Sequence, residues 1–232
     1  MKPGPSTSAP LQLVRVWDLP TRLFHWTLAA CVVFSVVTAN VGGNAMAWHF
    51  RSGYIVMGLL AFRIIWGLLG GRWSRFASFL YAPASIARYL RGESRADDHH
   101  DVGHNPLGAF SVFGLLAILA MQVGSGLFAD DDLGNTGPLI KFVSTATSGL
   151  LTTWHKSFGQ WLIISLVVLH VSAIVFYWVR KRQNLLRPML TGDKRLPAGV
   201  PASADHWSAR SLALLLAALC AAAVGWIVGL GE

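Results

Sequence analysis

Charge is scarce in this 232-residue chain: Asp, Glu, Lys and Arg together supply 13% of it, and only 11 residues are acidic. A soluble surface needs about twice that density of charge. Cysteine is nearly absent too. Cys31 and Cys220 are the two present, both inside apolar stretches and with no CxxC motif, which excludes a disulfide-stapled secreted domain. What the chain has instead is apolar mass: 53% hydrophobic residues, ten tryptophans and a mean hydropathy of +0.49. Such a composition excludes disorder and a coiled coil and calls for a bilayer as solvent. The net charge of +8 sits beside long apolar runs, a pattern of membrane orientation and not of nucleic-acid binding.

Five stretches are long enough to cross a hydrocarbon core of about 30 Å, at about 22–41, 47–69, 108–128, 155–179 and 209–229. Residues 1–13, rich in Pro and Ser, read as a flexible tail. Val37-Thr38-Ala39 is a weak signal-peptide cleavage pattern, but the histidine inside the first span argues against cleavage. Basic residues fix the orientation. Lys2, Arg15, Arg22, Arg72, Arg75, Arg88, Arg91, Arg95, Arg180, Lys181, Arg182, Arg187, Lys194, Arg195 and Arg210 fall on one side, against Arg51, Lys141 and Lys156 on the other. The expectation is a bacterial inner-membrane protein with a cytoplasmic N-terminus and a periplasmic C-terminus. The fifth span is almost all Leu and Ala over 212–224 and reads as a packing or anchoring helix.

Four of eight histidines lie in or at the edges of the spans, and each ionisable residue there is a functional hypothesis by default. At a rise of about 1.5 Å per residue, depth pairs His25 with His170 near the cytoplasmic face and His49 with His155 near the outer face. Fifteen residues at about 100° each leave His155 and His170 within about 60° of one another, on one face of span four. Two levels of facing imidazoles are what two bis-histidine haems require, with His25, His49, His155 and His170 as axial ligands. The missing CxxCH excludes covalent attachment of such haems. A zinc or copper site would gather all ligands at one level with carboxylate or thiolate help, and the spans hold no Asp or Glu.

The segments WDLPTRLFHW (17–26), HFRSGY (49–54), RIIWG (63–67), GHNPLGAF (103–110), SGLF (125–128), TTWHKSFG (152–159), LVVLHV (166–171) and NLLRPMLTGDK (184–194) resemble the bacterial cytochrome b561 family. That family includes b-type cytochrome subunits of nickel–iron hydrogenases and partners of periplasmic c-type cytochromes. The resemblance implies an all-α integral membrane four-helix haem bundle over residues 14–195 with two non-covalent b haems on the same four histidines. Residues 196–232 add a linker and a fifth transmembrane helix. It also implies electron transfer between membrane quinones and a redox protein, a c-type cytochrome or a hydrogenase-like partner. A second reading is a superoxide:quinone oxidoreductase with no protein partner, and a third, of another class, is a haem-free metal permease or scaffold.

Arg63 lies about 21 Å deeper than His49 and about 40° off its face, at the inner haem's level, which makes it a candidate propionate partner; Arg51 is the corresponding candidate for the outer haem. Gly53, Gly58, Gly114, Gly124 and Gly159 fit either a flat macrocycle or simple helix packing. Trp17, Trp26, Trp48, Trp73 and Trp154 read as an interfacial belt. His104 with Asn105 fits either a polar ligand or a helix-entry turn at Pro106. His99 and His100, with Asp97, Asp98 and Asp101, read as a solvated loop. Asp130, Asp131 and Asp132 form an acidic run that would steer a basic cytochrome.

Overall fold

The computed structural model describes residues 10–94, 98 and 100–231; the expectations for Lys2, Arg95, Asp97 and His99 fall outside these. In chain order the elements are β1 (Leu11–Arg15), α1 (Leu19–Val41), α2 (Met46–Leu69), α3 (Pro83–Arg91), α4 (Pro106–Gly126), α5 (Thr145–Thr153), α6 (Gln160–Arg180), α7 (Leu186–Thr191), β2 (Asp193–Pro197) and α8 (Trp207–Gly229). A π-helical turn, Trp154–Gly159, joins α5 to α6. Five helical segments are long and apolar enough to cross a membrane. The fourth runs over Thr145–Arg180, ten residues longer at its start than its hydropathy suggested.

Helices α1, α2, α4 and α6 form the bundle, and α2 is its most enclosed member. Val56 and Leu60 of α2, Leu119 of α4 and Ile163 of α6 make a dry layer at mid-depth. The opposite side of α2 takes α8: Phe62 and Trp66 pack with Phe24, Ala213 and Cys220. The last span is therefore a packing helix on the bundle's second layer. Large apolar side chains such as Phe34, Leu69, Phe110, Trp161 and Leu214 stay exposed around the outside, as a hydrocarbon solvent demands.

One end of the bundle, here the near end, carries an ordered cap. β1 pairs antiparallel with β2, Leu11 opposite Pro197 and Arg15 opposite Asp193. Residues 11–13 thus belong to a strand, which shortens the expected tail. Gly192 turns the chain at a φ of +88°, and its carbonyl accepts from Val16 N and Trp17 N at 2.9 and 3.0 Å. Val14, Val16, Trp17, Trp73, Val102 and Leu196 close into a small core. Trp17 and Trp73 therefore fill this cap and are not belt residues, because their rings have apolar neighbours to cover. The stretch expected to be a linker is bound into it as well: Ser203 Oγ donates to Val16 O at 2.7 Å, and Trp73 Nε1 donates to Pro201 O at 2.8 Å.

Two carboxylates hold this end. Asp18, fully buried, is the N-cap of α1 and accepts from Thr21 N at 2.8 Å, Trp66 Nε1 at 3.1 Å and Ser74 Oγ at 2.6 Å. It joins the start of α1 to the end of α2 and to the loop beyond. Asp205 pairs with Arg15 and Arg210 and accepts from Leu19 N at 3.1 Å, which ties β1 to the starts of α1 and α8. Replacing Asp18 with Ala leaves three buried donors without an acceptor, each worth about 1–3 kcal/mol. Asp18→Ala is expected to lower the thermal midpoint of the detergent-solubilised protein, with a loss of about 3 kcal/mol or more. Asp18→Asn, which keeps one acceptor oxygen, should lose less; equal midpoints for Asp18→Ala and the parent protein would refute the hub.

Candidate functional site

His25 stands in the second turn of α1 and His170 in the middle of α6, and the structure brings their rings together at the near end, 6.4 Å between centroids. At the far end, His49 in the first turn of α2 meets His155 of the π turn at 5.8 Å. The two pairs lie on either side of the mid-depth layer. A metal bonded at about 2 Å by one nitrogen of each ring would set ring centres about 6 Å apart. Both gaps have that size.

The far pair is locked by main-chain acceptors. His49 Nδ1 lies 3.0 Å from Ser35 O, and His155 Nδ1 lies 2.9 Å from Gln122 O. A ring that donates its Nδ1 hydrogen to a carbonyl presents a free lone pair at Nε2, the form in which imidazole binds a metal. Around the pair is a cavity of about 610 Å³, lined among others by Ser35, Gly53, Gln122 and Gly126. Gly53 has nothing within 4 Å of where a Cβ would stand, so its backbone faces open space in this cavity. A flat group fits against it. Gly159, by contrast, is packed against the Gln122 side chain.

The near pair has a different shell. His170 Nδ1 is 3.4 Å from Ser111 Oγ, and His25 Nδ1 is buried with no hydrogen-bond partner among the described residues. Arg63 is 3% exposed, and its guanidinium lies 4.6 Å from the Phe76 ring centre. Its Nη1 is likewise buried without a partner among the described residues. A buried guanidinium seeks an anion, so this donor set suits the carboxylates of a bound group. Arg51 differs: it is exposed, stacks on Trp48 at 4.8 Å and does not line the far cavity.

Other candidates have structural places. Asn105 caps α4 through Gly108 N at 2.8 Å, as a helix-entry turn requires. His104 sits between Trp17 and Phe79, each 4.7 Å away, with its Nδ1 buried and unpartnered among the described residues. His100 is buried, bonded to Ser85 and Ser94, and so is not solvated. Asp131 is engaged within its own loop by Leu133 N and by Asn135. Sequence reasoning missed two residues, Asp18 and Gln122. Both left a signal: Asp18 precedes Leu-Pro as a helix cap does, and Gln122 is the only amide side chain of α4.

The family model of the prokaryotic cytochrome b561 matches residues 16–192. The chain belongs to this family. Among its relatives is the probable Ni/Fe-hydrogenase B-type cytochrome subunit of Bradyrhizobium diazoefficiens, 25% identical over 215 residues, covering 78% of this chain and 86% of the relative. The probable Ni/Fe-hydrogenase 1 B-type cytochrome subunit of Escherichia coli strain K12 is 24% identical over 213 residues, covering 76% and 88%. That of Azotobacter vinelandii is 27% identical over 218 residues, covering 77% and 87%. No solved structure gives a significant match. The family makes this a multi-pass bacterial membrane cytochrome that carries b-type haem and transfers electrons.

His104 generates a test of the near end. Burial, followed by the neighbouring Arg63 cation, pushes its pKa down to about 3 from an ordinary 6.5. A histidine held neutral this way contributes its full stability above pH 6.5 and loses it progressively as pH falls toward 3. Thermal midpoints of His104→Gln should therefore fall less steeply than the parent's between pH 7 and pH 4. Parallel acid limbs for the two proteins would show that His104 is not the group responsible.

Proposed function

We propose that the chain is a dihaem b-type cytochrome that carries electrons across the inner membrane between the quinone pool and a redox protein. His25 and His170 hold the near haem, and His49 and His155 hold the far one. The observation that carries this reading is the far pair, two facing imidazoles 5.8 Å apart with each Nδ1 committed to a main-chain carbonyl. A b haem held by such rings would supply one-electron exchange. The protein's part is to fix ring orientation, to set the local dielectric and to neutralise charge. Arg63, buried and with its Nη1 lacking a hydrogen-bond partner among the described residues, is suited to the near haem's propionates. Arg51, exposed on Trp48, suits an anchoring role better than a second propionate contact.

The near end is cytoplasmic in this reading, because thirteen of the basic residues named above, counted among the described residues, gather there against three at the far end. Both named levels then give the electrons an entry and an exit, one beside each face. Relatives named as hydrogenase cytochrome subunits support a redox protein as the partner at the far end. The loop Asp130–Asp132 offers that partner a negative surface, which acts mainly on its rate of encounter. Quinone exchange belongs at the membrane-embedded side of a haem. Membership of a cytochrome family speaks against the haem-free permease.

A reduced-minus-oxidised spectrum of the purified protein with a pyridine haemochrome count should give two low-spin b haems per chain. His25→Ala and His170→Ala should each deplete the same haem, and His49→Ala and His155→Ala the other. Loss of one common haem from His25→Ala and His155→Ala would overturn the pairing, and a single haem in the parent protein would overturn the dihaem reading.

A further inference from the structure

The far pair is not symmetric in how its two histidines are held. His49 sits in a regular helix, whereas His155 sits in a π turn, a local geometry that disturbs the main-chain ladder and recurs at functional sites. Something outside that turn must hold it open, since a carbonyl in an apolar interior cannot be left to find water. Gln122 of α4 is placed for this. Its own carbonyl accepts from His155 Nδ1 at 2.9 Å, and its side-chain Nε2 donates to the His155 carbonyl at 2.8 Å. The two residues are thus bonded reciprocally, ring to backbone and amide to backbone.

The remaining atoms of the amide point the same way. Gln122 Oε1 and Trp154 Nε1 are both buried, and neither has a hydrogen-bond partner among the described residues. One is an acceptor and the other a donor. They face a common space at Gly159: a Cβ there would collide with Gln122 Oε1 and lie 3.1 Å from Trp154 Nε1. Only a residue without a side chain leaves that space to the amide. Trp154, His155 and Gly159 all belong to the π turn, so one α4 side chain serves both ends of it.

We propose that Gln122 is the positioning residue of the far site. Its amide keeps the Trp154–Gly159 turn π-helical by donating to the His155 carbonyl, which the regular helical ladder would otherwise claim. That fixes the plane of the His155 imidazole, whose Nδ1 is held by the Gln122 main-chain carbonyl, with Gly159 as the space the amide needs. The inference rests on the dihaem reading for its consequence, because a fixed His155 plane matters through the far haem it would hold. Removing a group that orients a metal ligand weakens metal retention by about 10–100-fold. Gln122→Leu leaves the backbone acceptor for His155 Nδ1 in place and removes the side-chain bond to the His155 carbonyl. Gly159→Ala displaces the amide without altering Gln122 itself.

The experiment uses the purified full-length protein loaded with haem, with each haem signal assigned through the His25→Ala and His155→Ala variants. Haem transfer to apomyoglobin and low-temperature EPR of the oxidised protein are the readouts. In Gln122→Leu and in Gly159→Ala the far haem should leave about tenfold faster and show a second low-spin species, while the near haem keeps its parent behaviour. Gln122→Met, which conserves volume, should behave like Gln122→Leu and guards against a simple packing defect. Unchanged far-haem signals in all three variants would overturn the proposal. Equal loss of both haems would also overturn it, since that marks general loosening. A parent protein without two haems, or a far haem that survives His155→Ala, would instead sink the dihaem reading beneath it.

Discussion

Every polar group inside an apolar bundle must find its partner within the protein, and the far histidines meet this demand through main-chain carbonyls. Ser35 O and Gln122 O lie within helices, where each carbonyl has a second lone pair to offer. One imidazole thereby ties α2 to α1, and the other ties the π turn to α4. The same bonds that remove an unsatisfied donor from hydrocarbon also aim Nε2 into the space between the helices. Satisfying the buried polar atom and orienting the imidazole are here one event, and it links four helical segments through two rings.

At the near end the same demand is met by carboxylates. Asp18 could not be buried alone, and it is not: three donors from α1, α2 and the following loop converge on it. Asp205 does the corresponding work at the entrance to α8, between Arg15 and Arg210. Both carboxylates lie outside the apolar stretches, beside the helix starts they fix. The cap therefore sets where α1 and α8 begin, and through α1 it sets the height of His25, seven residues after Asp18. A small polar cluster at one end thereby sets the level of a ring in the second turn of α1.

Hydropathy made the five spans legible, with starts within three residues for all but the fourth. There the nine residues of α5 are too mixed in composition to read as part of a crossing, and the π turn has no periodic signature at all. The histidine levels were legible because depth follows from residue count alone. What was not legible was anything that depends on contacts between distant segments. The strand pairing of Leu11–Arg15 with Asp193–Pro197 spans nearly the whole chain and carries no local signal, so residues 11–13 read as a tail. Trp17 and Trp73 looked like belt residues because sequence shows that an aromatic is near an interface but not that Val16, Val102 and Leu196 cover it. Arg63 and Arg51 looked equivalent by spacing, and only burial separates them.

The two levels differ in a way that composition would not suggest. At the far level each Nδ1 already has its acceptor, so the rings are oriented before any group binds between them. At the near level His25 Nδ1, Arg63 Nη1 and His104 Nδ1 are buried and lack partners among the described residues. Each such group costs about 1–3 kcal/mol when unmatched. A bound group that brings carboxylates to this end would match the donors and stabilise the fold as it binds. At the far level the unmatched atoms, Gln122 Oε1 and Trp154 Nε1, are an acceptor and a donor on the protein's own amide and indole, and neither calls for a carboxylate. Under the dihaem reading proposed above, the near level would be where uptake of the group and folding are most tightly linked, while at the far level ring geometry is settled in advance.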